Sequence, residues 1–154
     1  MGIQVTKNPT GLLLSQSKYI ADLLGKVNVQ DSTPCSTPMA SGVYLTKDIG
    51  LSFPNVTLNR STVGALQYII LTRQEIAFSI NKLSQFLCAP TDIHWQACKK
   101  VLRYLKGTIN LGLQFYSSGP IHLECFSDAD WAADRDDRKS IVGYCVYLGP
   151  NLVS

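Results

Sequence analysis

Asp128 and Asp130 are the residues of this chain whose types and spacing best suit chemistry. They sit in Phe126-Ser127-Asp128-Ala129-Asp130-Trp131, where an apolar strand ends. Two residues apart on extended backbone, their side chains leave on the same side. Paired carboxylates supply the hard oxygen ligands that Mg²⁺ requires. A second apolar stretch, Gly143-Tyr144-Cys145-Val146-Tyr147-Leu148-Gly149, follows a charged loop. The bland alternative is a solvated loop, since Asp134, Asp136 and Asp137 neighbour Arg135, Arg138 and Lys139. The adjacent pair Asp136-Asp137 is flanked by charge on both sides and belongs to that solvated reading.

A second constellation is basic. Lys99, Arg103 and Lys106 follow 4 and 3 spacing, with Lys100 beside them, off the apolar face of one helix. Such a row can track a phosphate backbone, and Trp95 and Tyr104 could stack on bases or sugars. It can equally be the soluble side of an amphipathic helix, its cations complementing the C-terminal dipole and Trp95 lying in the core. His94 fits a capping or packing role better than catalysis. No Gly-rich phosphate loop, Gly-x-Ser-x-Gly elbow or His-Glu-x-x-His motif occurs.

The charge is uneven. Residues 1–123 carry 11 basic and 5 acidic groups, a net +6, and residues 124–154 carry 3 basic and 6 acidic groups, a net −3. Phosphate binding beside a metal-binding cluster would use that division, and so would ordinary uneven surface charge. The cysteines Cys35, Cys88, Cys98, Cys125 and Cys145 are odd in number and form no Cys-x-x-Cys. That predicts buried, reduced thiols in an intracellular protein and gives no spacing for zinc. The N-terminus lacks a signal-peptide layout, Gly2 is only a loose match to an acylation signal, and no run is apolar enough to span a membrane.

The elements that must position these residues are legible in outline. Residues 2–14 predict a hairpin turning at Asn8-Pro9-Thr10-Gly11. Ser15 is placed to cap a helix through about residue 24, and Gly25 to end it. Residues 27–58 show no period and contain Pro34, Pro38 and Pro54, so they form either a linker or a strap over something larger that this chain lacks. A helix is predicted over 61–71. Thr72-x-x-Glu75 reads as a capping box for the next, whose stripe is Ile76, Ile80, Leu83 and Leu87. The best-defined helix covers 91–106, with Thr91 as N-cap, Cys98, Val101, Leu102 and Leu105 on its apolar face, and Gly107 closing it. Strands follow at 111–116, 121–127 and 141–148, with a fourth at Leu152-Val153. Helices first and strands after predict an α+β chain with a join near 107–120.

Taken together, these motifs resemble a known family. Leu71-Thr72-Arg73, Leu83-Ser84-Gln85-Phe86, Pro90-Thr91, His94-Trp95-Gln96-Ala97 and Val101-Leu102-Arg103-Tyr104-Leu105-Lys106-Gly107 are similar to the region after the polymerase centre of copia-type retrotransposon reverse transcriptases. Ser15-Gln16-Ser17-Lys18-Tyr19 and Ser36-Thr37-Pro38-Met39 resemble earlier marks of the same polyprotein. Ser127-Asp128-Ala129-Asp130-Trp131-Ala132 and Gly143-Tyr144-Cys145-Val146 resemble the start of its ribonuclease H.

The resemblance implies a division into four parts. Residues 1–26 would be a hairpin and helix from the end of the polymerase palm and thumb. Residues 27–59 would be a connection, 60–107 a helical connection region, and 108–154 a truncated ribonuclease H-like sheet. It implies Asp128 as the first metal carboxylate of the ribonuclease H site, with Asp130 a supporting or loop residue that does not ligate the metal. It also implies Mg²⁺ in the intact family, and Lys99, Lys100, Arg103 and Lys106 as contacts for an RNA–DNA hybrid or template-primer. Missing polyprotein segments would be further partners.

Departures limit the carry-over. The Tyr-x-Asp-Asp turn of the polymerase is absent, and of about four ribonuclease H carboxylates only Asp128 has a counterpart. Gln74-Glu75 stands where the family usually has Pro-Asp, Asn59 where it has Tyr, and Ile141-Val142 where small or hydroxyl residues precede Gly143. These read as drift in a copy no longer selected for activity. The expectation is therefore a polyprotein fragment that is not catalytic by itself and has no functional cofactor. Two alternatives remain: a residual nucleic-acid-binding module, and a ribonuclease H that works once its missing part is supplied.

Overall fold

The computed structural model describes residues 2–40, 45–130 and 140–154; Trp131 and the charged residues Asp134 to Lys139 of the loop lie outside the described residues. Among the described residues the chain is α+β, with four α-helices and two small antiparallel sheets. It divides into two compact units. One holds residues 15–112 with the first few residues, and the other holds 5–14 with 113–154.

The helical unit contains α1 (Ser17–Lys26), α2 (Val56–Ile69), a 3₁₀ turn (Gln74–Ile76), α3 (Ala77–Ser84) and α4 (Asp92–Gly107). Ile20, Leu23 and Leu24 of α1 meet Val63, Leu66 and Ile69 of α2, Ile76, Ile80 and Leu83 around α3, and Cys98, Val101, Leu102 and Leu105 of α4 in one core. All of these lie where apolar periodicity puts a helix's inward stripe. Every buried apolar side chain among the described residues belongs to this unit.

Several helix ends differ from expectation. Ser15 does not cap α1; it closes β2 (Gly11–Ser15), and Gln16 precedes the helix without a side-chain cap bond. Gly25 is inside α1, and the left-handed residue beyond its end is Asn28 at φ 56°. The second helix starts earlier than 61, because the Asn55 Oδ1 accepts from the Leu58 N–H and caps a helix opening at Val56.

The Thr72-x-x-Glu75 capping box does not form either, since both side chains are committed elsewhere. The Thr72 hydroxyl donates to Gln16 Oε1 at 2.8 Å, and Glu75 accepts from Arg73 Nε at 2.6 Å. Arg73 is 1% exposed. It also donates from Nη1 to the Thr108 carbonyl at 2.8 Å and from Nη2 to the Thr108 hydroxyl at 2.6 Å. Thr108 caps the C-terminus of α4, so the guanidinium meets the negative end of that helix.

The described residues of the segment between α1 and α2 form a strap over this chain's own helices rather than over a missing element. Val29 and Leu45 are buried in the helical core. Ser52 bridges Thr91, the Phe53 N–H bonds the Pro90 carbonyl at 2.9 Å, and the Leu51 N–H bonds Asp92 Oδ1 at 2.8 Å. Gly50, at φ +85°, runs so close that a Cβ there would collide with the Asp92 carboxylate.

In the other unit, β1 (Gln4–Asn8), β2 and β3 (Leu113–Tyr116) form a sheet in that order, with Leu12 opposite Phe115 and Leu14 opposite Leu113. A second sheet holds β4 (Leu123–Asp130), β5 (Ile141–Leu148) and β6 (Asn151–Leu152). The hairpin and all four strand candidates form, but β3 and β4 open two residues later than expected and β4 runs on through Asp130, past Asp128.

The expectation of buried thiols fails. Only Cys98 is buried; Cys35 is half-buried, and Cys88, Cys125 and Cys145 are exposed. Burial pushes the Cys98 thiol from 9.0 up to about 12.

The thiolate is the reactive form, so iodoacetamide at about pH 8 should label Cys88, Cys125 and Cys145 and spare Cys98 until the chain unfolds. The raised thiol holds its proton in the folded state while the unfolded one ionises. Its stabilising contribution is therefore complete below pH 9 and lost as pH climbs toward about 12, which urea titrations across that range would register. Replacing Arg73 by Met should cost roughly 3 kcal/mol, because buried acceptors lose charged donors. Glu75→Gln should cost less than about 1 kcal/mol, because that carboxylate is 43% exposed and its pairing is screened.

Candidate nucleic-acid interface

Both candidate sites can be traced to the elements that carry them. The basic residues ride on α4, whose register is fixed at its N-terminus by a double cap. The Thr91 hydroxyl accepts from the His94 N–H, and the Thr91 N–H donates to His94 Nδ1 at 3.0 Å. With Nδ1 accepting, Nε2 carries the proton and donates to the Thr46 carbonyl at 3.1 Å. The ring also stacks on Phe86 at 4.1 Å. His94 is therefore a cap and a packing element, as its sequence context suggests.

The four basic side chains are not equivalent. Arg103 Nε donates to the Thr33 carbonyl at 2.6 Å, and Lys106 Nζ donates to the Ser32 carbonyl at 2.8 Å. Both pin the strap to α4. The Cys35 N–H reaches the Arg103 carbonyl beside them at 3.4 Å. Arg103 and Lys106 thus lie off the apolar face of α4 and still bond to another segment of the fold. Periodicity sees only α4's own faces, whereas the strap comes from 70 and more residues away. Lys99 and Lys100 are half-buried and make no side-chain hydrogen bond or ion pair among the described residues. Trp95 is half-buried and stacks on Phe53, with ring centroids 5.0 Å apart and 22° between planes. Tyr104 is not free for stacking, because its ring lies 5.7 Å from the Arg73 guanidinium.

Asp128 lies on β4 opposite Gly143 of β5. Its side chain is exposed, and its Oδ1 accepts from the Ala129 N–H at 2.9 Å. Asp130 ends the same strand. Mg²⁺ asks for a near-octahedral oxygen shell. Among the described residues no three His, Cys, Asp or Glu side chains lie close enough together to hold a metal ion. Nor is any described helix long and apolar enough to cross a membrane.

Known proteins share this sequence along its whole length. It is 44% identical over 154 residues to the retrovirus-related Pol polyprotein from transposon RE2 of Arabidopsis thaliana, and 45% identical to that from transposon RE1 of the same plant. The chain spans 11% and 10% of those two proteins. It is also 38% identical over 155 residues to an uncharacterized mitochondrial protein of Arabidopsis thaliana, of which it spans 64%. No family model and no solved structure matches it.

The split among the basic residues is testable without any ligand. Arg103→Met with Lys106→Met should cost roughly 1–2 kcal/mol and expose the strap to protease, because charged donors to its carbonyls are lost. Lys99→Met with Lys100→Met should change stability by less than about 0.5 kcal/mol. Equal effects of the two pairs on urea midpoints would show that the strap bonds do not hold it.

Proposed function

This chain belongs to the retrovirus-related Pol polyproteins of copia-type transposons, and on that premise we propose that its helical unit is a nucleic-acid-contacting module within the polyprotein. The partner would be an RNA–DNA hybrid or template-primer. The observation that carries this reading is the pair Lys99 and Lys100, beside Arg103 on α4 and without the carbonyl partners that occupy Arg103 and Lys106. Unspent cations on a rigid helix, within a segment of net charge +6, are what a phosphate backbone requires. Arg103 keeps its Nη groups for the same partner, while Lys106 serves the strap.

For the strand unit we propose the opening of a ribonuclease H-like sheet, with Asp128 as its first carboxylate. Two-metal cleavage needs ions about 4 Å apart held by several carboxylates, so Asp128 needs others from the rest of the polyprotein. A ribonuclease H that works on complementation is favoured by one further observation. The β4–β5 register puts Leu123, Cys125, Val142, Tyr144, Val146 and Leu148 on one face, and Leu123, Val142 and Tyr144 there are 68%, 64% and 65% exposed. Such a face fits a sheet built to receive further elements.

Salt titration decides the first reading. Binding of a labelled hybrid should be independent of sequence and fall with salt at a log–log slope of about −3 for three neutralised phosphates. Lys99→Glu with Lys100→Glu should abolish it while the urea midpoint stays near the parent's. Unchanged affinity in that variant would reduce the lysines to a solvated surface. With Mg²⁺ present the purified chain should neither extend a primer nor cut a hybrid. Cutting that copurifies with the chain and disappears in Asp128→Asn would reverse the non-catalytic reading.

A further inference from the structure

Lys99 and Lys100 also border a half-open cavity of about 1100 Å³ in the surface of the helical unit. Its lining joins two chemistries. Met39 and Trp95 give it apolar surface, and Lys99, Lys100 and Arg103 give it positive charge. Phe53 covers one face of the Trp95 ring, which fixes the indole's orientation in the cavity wall. An apolar wall with an aromatic ring under a cationic edge suits a molecule that is flat and apolar at one end and anionic at the other. A nucleotide is divided in this way. A duplex presents phosphates and keeps its bases stacked, whereas an unpaired nucleotide presents both parts.

We propose that the cavity is a subsite for one unpaired nucleotide, with its base against Trp95 and Met39 and its phosphate at Lys99 and Lys100. This rests on the nucleic-acid reading above and adds to it a preference for single strand over duplex. A purely electrostatic surface has no such preference beyond charge density. A stacked base adds enough to favour the single strand by about tenfold.

The test uses the full chain with Trp131→Phe, which leaves Trp95 as its tryptophan. An oligothymidine single strand should quench Trp95 fluorescence and bind about tenfold tighter than a duplex of equal length. Inorganic polyphosphate should not quench. Ala97 also lines the cavity. Ala97→Phe, checked for folding by circular dichroism, should bring single-strand affinity down to the duplex level. Equal binding of strand and duplex without quenching would overturn the subsite and leave the phosphate-contact reading standing. A preference that survives in folded Ala97→Phe would place the base elsewhere and overturn it as well. Binding to neither would overturn both readings.

Discussion

One buried cation organises the helical unit. Arg73 is almost wholly out of water, and an unpaired charge there would cost several kcal/mol. It is tolerated because Nε, Nη1 and Nη2 each have an acceptor, in Glu75 and in both oxygens of Thr108. Those bonds join the turn before α3 to the negative end of α4. One residue earlier, the Thr72 hydroxyl reaches Gln16 at the start of α1, and Gln16 Nε2 reaches the Tyr68 carbonyl in α2. The starts and ends of four segments are thus tied by polar side chains beneath the apolar core.

Glu75 is the carboxylate partner of the buried guanidinium. Asn59 is buried with its Oδ1 unpaired among the described residues, and an orphaned buried acceptor costs about 1–3 kcal/mol.

The second interaction of consequence is between α4 and the strap. Arg103 and Lys106 spend their donors on strap carbonyls, and the strap supplies Met39 to the wall that Trp95 and the lysines complete. The same helix therefore uses its last basic residues for the fold and leaves the earlier ones unspent. The strand unit is built on another principle. Its sheets are ordered by backbone pairing, and its apolar residues Leu123, Phe126 and Tyr144 remain exposed.

Local signals were sufficient wherever one segment determined its own structure. The hairpin at Asn8-Pro9-Thr10-Gly11, the Thr91 cap, the stripe from Cys98 to Leu105, the strands and the α+β order were legible because period and turn chemistry are short-range. So were the residues that the family shares. Tertiary structure decided the rest, because each remaining feature joins groups far apart in the chain. Thr72 and Glu75 make an ideal local capping pair, yet Gln16 and Arg73 outcompete that cap. The β2 strand finds its partner β3 about a hundred residues on. Arg103 and Lys106 resemble Lys99 and Lys100 in sequence, and only the carbonyls of Thr33 and Ser32, brought alongside by the strap, separate anchors from available cations.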